Sequence, residues 1–98
     1  MSLLAIRRRL GEVCQFADRV GDWQLQGDIY AELVAEDLEH VAELAREHGT
    51  PGAAALASHI ESVAASVEAR TATVEDILRL CVWPPELWEE YDDDPLAP

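Results

Sequence analysis

Apolar residues recur at spacings of three and four over most of this 98-residue chain, and this period limits its fold more than any other feature. Such spacing puts apolar side chains on one face of an α-helix, whereas a half-buried strand needs them at every second position. Sustained alternation is missing, and so are the hairpin dipeptides Asn-Gly and Asp-Gly. The pattern therefore predicts an all-α fold.

Helix stop and start signals divide the sequence into four predicted helices. We expect them at about residues 2–19, 23–48 and 51–70, and from 74 up to the prolines at 84 and 85. Gly49 ends the second helix, and Thr50-Pro51 supplies a cap and a first-turn proline for the third. Thr73 to Asp76 resembles a capping box in which aspartate replaces the usual glutamate.

The segment after the two prolines is aromatic and acidic, and it has room for one or two helical turns. Trp83, Leu87, Trp88 and Tyr91 either close the end of the bundle as an apolar flap or anchor a partner protein. The sequence thus predicts a small four-helix bundle over residues 1–82 and a short helical, aromatic appendage over residues 83–98.

Apolar stripes identify the predicted core. On the second helix the stripe consists of Tyr30, Leu33, Val34, Leu38, Val41, Leu44 and Ala45. Cys14 and Cys81 fall at core-facing positions of their helices and form no Cys-x-x-Cys pair. We therefore expect both cysteines to be buried free thiols.

Charge limits the partners of this chain. Seven basic residues oppose twenty acidic ones, and the formal net charge is −13. Nucleic acids and anionic membranes attract cationic proteins, so both are disfavoured as partners. A basic partner protein, a metal ion or simple solubility fits the sign.

Two further expectations concern the source and location of the protein. Every basic residue is arginine, and lysine and asparagine, whose codons are AT-rich, do not occur, which suggests a GC-rich bacterial genome. No apolar run approaches the length of a membrane span, and the first residues lack a signal-peptide core. We therefore expect cytoplasmic residence.

The back of the second predicted helix is acidic. It carries Asp28, Glu32, Glu36, Glu39, Glu43 and Glu47. Like-charged pairs four residues apart each destabilise a helix by about 0.2–0.5 kcal/mol. Three accounts remain open: a solvated face, internal neutralisation by the arginines at residues 7–9, or a binding face for a basic partner. In the third account the partner-binding residues are Glu32, Glu36, Glu39 and Glu43.

Polar residues inside the apolar stripes suggest an alternative interpretation, in which the protein binds a divalent metal. Asp37 lies near the middle of the predicted core face, and His40 follows three residues later. A buried carboxylate needs a proton, a hydrogen-bond partner, a cation or a metal. Together with His59, and with a second copy of the chain, these residues form a candidate divalent-metal site. Structural polar contacts are the simpler interpretation.

Catalytic motifs are weak. Glu36 and Glu39 match the first half of the pattern of MazG-type pyrophosphatases, but the second half is incomplete because residue 73 is threonine. In size, acidity and helical pattern the chain resembles bacterial immunity proteins and antitoxins, which implies a basic partner, although no motif carries this resemblance. The sequence favours a non-catalytic protein-interaction module that forms a homodimer.

Overall fold

A computed structural model describes residues 2–25, 27–83 and 85–92, and all regular secondary structure in these ranges is helical. The elements are α1 (Leu3–Val20), α2 (Asp22–Leu25), α3 (Asp28–His48), α4 (Pro51–Glu68), α5 (Val74–Leu78), the 3-10 turn Arg79–Cys81 and α6 (Pro85–Asp92). The predicted all-α bundle with a C-terminal helical appendage is confirmed. The acidic tail at residues 93–98 lies outside the described residues.

Local sequence signals set the helix ends. The Thr73 backbone N–H donates to the Asp76 carboxylate at 2.9 Å, and the Asp76 N–H donates to the Thr73 hydroxyl at 3.3 Å. This reciprocal pair is the predicted capping box, with aspartate in the fourth position. Thr50 caps α4 with its hydroxyl alone, which accepts from the Ala53 N–H at 3.3 Å, and Gly49 ends α3 in the left-handed region at φ 83°.

Two predicted helices differ from those observed. The second one is interrupted, because Gly27 adopts an extended conformation and separates the short α2 from α3. The fourth one tightens into the 3-10 turn after Leu78, and extended backbone at Val82 ends it. The Asp22 carboxylate accepts a hydrogen bond from the Val74 N–H at 2.7 Å and so joins α2 to α5.

The bundle is built around an antiparallel hairpin of α3 and α4. Helix α1 also runs antiparallel to α3, and the rings of Phe16 on α1 and Tyr30 on α3 lie 6.1 Å apart. Helix α5 and the 3-10 turn pack on α1. Helix α6 packs on α4 and buries Leu87. Among the described residues, no helix is both long and apolar enough to span a bilayer.

The core face of α3 is rotated from the predicted one by roughly 70°, at 100° per residue. The buried residues are Ala31, Val34, Ala35, Leu38, Val41, Ala42 and Ala45. The predicted burial of Tyr30 and Leu33 is wrong, since they are 37% and 46% exposed, and Asp37 is exposed as well. Four of the seven buried residues are alanines, whose small side chains let a neighbouring helix approach closely.

The capping box provides the first testable prediction. Thr73→Ala removes the side chain that accepts the Asp76 N–H, so we expect the free energy of unfolding to fall by about 1 kcal/mol. Thr73→Ser keeps the hydroxyl and serves as the matched control. Chemical denaturation measures both variants, and an equal loss in each would contradict a capping role.

Candidate functional site

The acidic residues of α3 meet those of α4 along one edge of the hairpin. We call this set the acidic seam; it comprises Glu32, Glu36, Glu39, Glu43, Glu61 and Glu68. These residues line two shallow cavities of about 380 and 340 Å³ on the outside of the hairpin. The rotation of α3 explains this arrangement, because it turns Glu39 and Glu43 towards α4.

Cations contact the seam at two points only within the described part of the chain. Arg46 forms an ion pair with Glu61 at 2.6 Å, and its hydrogen bond lowers the pKa of Glu61. Arg70 lines the second cavity, but its ion pair is with Asp28, at 3.1 Å. The five other carboxylates of the seam form no ion pair with a described residue.

The centre of the seam brings two carboxylates together, because Glu39 and Glu68 line the same cavity. A hydrogen bond with Glu68 across the helix interface, together with the charge of Glu68, raises the pKa of Glu39. Glu36 and Glu43 raise it further through their negative charge. A proton or a cation between the two carboxylates is favoured, because two ionised carboxylates that lie close together repel each other. The seam is therefore electrostatically strained.

Internal neutralisation of the acidic face by the arginines of α1 is not observed. None of residues 7–9 forms an ion pair with Glu43 or Glu47, although antiparallel packing brings α1 alongside α3. The Arg7 guanidinium instead lies over the ring of Trp88, 4.7 Å from its centroid. This hypothesis is wrong for the described residues.

The predicted metal ligands are not brought together within one chain. Asp37 and His40 line a cavity of about 230 Å³ between α3 and α1, where Arg9 also lies. His59 lines a separate cavity beside α5. Among the described residues, no group of three or more histidine, cysteine, aspartate or glutamate side chains could hold a metal ion. The expected burial of Asp37 is wrong, so its carboxylate requires no buried partner.

The aromatic residues after the bundle pack against it. Trp83 is 4% exposed, and its ring centroid lies 5.6 Å from that of the partly buried Trp88. Leu87 is completely buried. These contacts are those expected of the apolar flap. The Tyr91 side chain lies outside the described residues.

The structure shows an exposed apolar patch that the sequence pattern did not predict. Ile29 and Leu33, one turn apart on α3, are 72% and 46% exposed, and Trp23 on α2 is 78% exposed. Helical spacing predicts a core position for Leu33, but the core face of α3 consists mainly of alanine and valine. Exposed apolar residues that cluster on one helix face are typical of a protein contact surface.

A thiol site was also missed. The predicted burial is correct for Cys14 but wrong for Cys81, which is only partly buried and lines a groove of about 520 Å³. Cys14 contacts the Ile77 carbonyl oxygen, four residues before Cys81, and each thiol shifts the pKa of the other. Helical spacing could not reveal this contact, because Cys81 lies in the 3-10 turn rather than in a continuous helix.

Comparisons with known proteins gave no match: neither a family model, nor a curated protein, nor a solved structure matches this chain.

The strained pair in the seam leads to a prediction about pH. Because the pKa of Glu39 is raised in the folded state, the folded protein binds more protons than the unfolded chain above the ordinary glutamate pKa of about 4.3. Stability conferred by the protonated group is therefore lost as the pH rises through this window. Glu39→Gln should raise the midpoint of thermal unfolding at about pH 7, and this gain should vanish near about pH 3.

Glu89→Gln, on the exposed surface of α6, is the matched control and should change the midpoint less at neutral pH. Calorimetry at the two pH values measures these effects. A midpoint for Glu39→Gln equal to that of the wild-type protein at neutral pH would contradict repulsion across the seam.

Proposed function

We propose that this chain is a protein-interaction module, without catalytic activity in that role, that binds a basic segment of another protein along the acidic seam. The single observation that carries the proposal is that Glu39 and Glu68 line the same cavity and form no ion pair with any described cation. A guanidinium or ammonium group from a partner would relieve this repulsion.

The geometry of the seam supports an elongated partner segment. Its carboxylates follow the α3–α4 edge, with Arg46 near one end and Arg70 near the other. Complementary charge raises the association rate and selects against acidic partners, even where each exposed pair adds little affinity. The resemblance to immunity proteins and antitoxins points to the same class of partner, a basic protein.

We also propose that two copies of the chain associate through the exposed apolar patch. Ile29 and Leu33 lie on the outward face of α3, away from the core of one chain. Burying them against the same residues of a second copy would remove apolar surface from water. Free cysteines support the further proposal that the protein acts in the cytoplasm, where thiols remain reduced.

Charge reversal tests the partner site. Glu36→Lys combined with Glu43→Lys should weaken capture of a basic partner about tenfold or more, because it places cations in the seam. Asp18→Lys combined with Glu89→Lys makes the same change in net charge on exposed positions outside the seam. Affinity capture at physiological salt, with cross-link mapping of the contacted residues, compares the three proteins.

Partner binding that survives reversal within the seam, or that is lost equally in the control, would refute a specific role for the seam. Circular dichroism confirms that both double variants keep their helices. Binding through the seam should also weaken as salt is added, since exposed charges are screened over about 8–10 Å.

Self-association is tested separately. Leu33→Gln should weaken dimer formation by about tenfold, because a polar side chain replaces an apolar one at the centre of the patch. Ala65→Gln, at an exposed position of α4, is the control. Sedimentation equilibrium measures both, and added salt should strengthen the dimer by screening two acidic chains from each other. A monomeric wild-type protein at high salt would exclude the dimer.

A further inference from the structure

The two cysteines come from distant parts of the sequence but meet at one edge of the bundle. Cys14 lies on α1 with 3% exposure, and its sulfur lies 3.4 Å from the Ile77 carbonyl oxygen. Cys81 ends the 3-10 turn that packs on α1. Because Cys81 follows Ile77 by four residues, the contact with Ile77 places Cys14 beside Cys81, and each thiol shifts the pKa of the other.

The environments of the two thiols differ. The hydrogen bond to Cys14 lowers the pKa of Cys81 to about 7, and the positive charge of Arg7 acts in the same direction. Contact with Cys81 and burial raise the pKa of Cys14. At neutral pH about half of Cys81 is therefore ionised and nucleophilic, whereas Cys14 remains a protonated thiol.

The groove in front of Cys81 has a definite chemistry. Its volume of about 520 Å³ is in the range of small-molecule sites. Leu4 and Trp83 provide apolar contacts, Arg7 and Arg8 supply positive charge, and Glu12 is the one carboxylate among the described lining residues. This is a concentration of cations in a strongly acidic protein, and it fits a small anionic molecule with an apolar body.

We propose that Cys14 and Cys81 form a redox-active dithiol that is oxidised by small anionic disulfides bound in the groove lined by Arg7 and Arg8. Cys81 is exposed to the groove and makes the first attack, while Cys14 completes the reaction from within the core. This inference uses a different surface from the acidic seam and is independent of the proposed function.

The reaction balances as two thiol–disulfide exchanges. The Cys81 thiolate attacks one sulfur of the bound disulfide, the substrate S–S bond breaks, and one thiolate leaves with its electron pair. Cys14 then loses its proton to solvent and attacks the Cys81 sulfur of the mixed disulfide, which releases the second thiolate. The protein loses two electrons and gains a Cys14–Cys81 disulfide, and the substrate is reduced to two thiols.

The stoichiometry of thiol release tests this mechanism. The probe is dithiobis(nitrobenzoate), a dianionic aromatic disulfide whose released thiolate is coloured, added in small excess to the reduced, folded, full-length protein. We expect the wild-type protein to release two thiolates per chain and to carry no adduct by mass spectrometry. Cys14→Ser should release one thiolate and retain the mixed disulfide, because the resolving thiol is missing.

Cys81→Ser should react at least about tenfold more slowly than wild type, since Cys14 is shielded from the probe. Denaturing a reduced sample of each variant before the probe is added exposes its single thiol and confirms the thiol content. A stable adduct on the wild-type protein, or a Cys81→Ser variant that reacts as fast as wild type, would overturn the proposal. The wild-type measurement decides the matter even where a variant folds poorly.

The groove is tested by comparing probes of different charge. Arg8→Gln should slow the reaction with the dianionic probe about threefold or more but leave the reaction with neutral hydroxyethyl disulfide unchanged. Arg19→Gln, on the same helix but outside the groove, is the matched control. Equal slowing with both probes, or equal effects of the two substitutions, would show that the groove does not select anionic disulfides.

Discussion

Close packing of α3 against α4 is the interaction on which the rest of the structure depends. The two helices bury alanines at Ala35, Ala42, Ala57 and Ala64, and these small side chains permit a short distance between the backbones. The same close approach brings carboxylates on the two helix edges together, as at Glu39 and Glu68. Apolar packing in the core thus produces electrostatic strain on the surface.

Much of the architecture could be predicted from the sequence because its signals are local. Helix ends depend on neighbouring backbone groups, and three predicted ends are present in the structure. They are the capping box at Thr73, the N-cap of α4 at Thr50 and the C-cap of α3 at Gly49. The length and direction of α1 and α4 follow in the same way. Local signals failed at Gly27, where the second predicted helix is interrupted. A single glycine does not by itself show whether a helix continues or ends at that position.

The candidate sites were harder to predict because they depend on the rotation of one helix. The large apolar residues Tyr30, Leu33 and Leu44 centred the predicted face of α3 near Val41, whereas the observed face is centred near Leu38. That error placed Asp37 in the core and concealed the exposed patch. The glutamates of α3 were identified correctly as an acidic face, but their meeting with Glu61 and Glu68 required the packing of α4.

Segregation of charge between different flanks of the bundle has a consequence for encounters in solution. The exposed arginines of residues 7–9 lie on α1, whereas the acidic seam lies along the far edge of α3, next to α4. Separated positive and negative charge gives the molecule an electric dipole across its width in addition to its large net charge. A charged molecule that approaches through dilute electrolyte therefore exerts a torque, and the protein turns one flank towards it before contact.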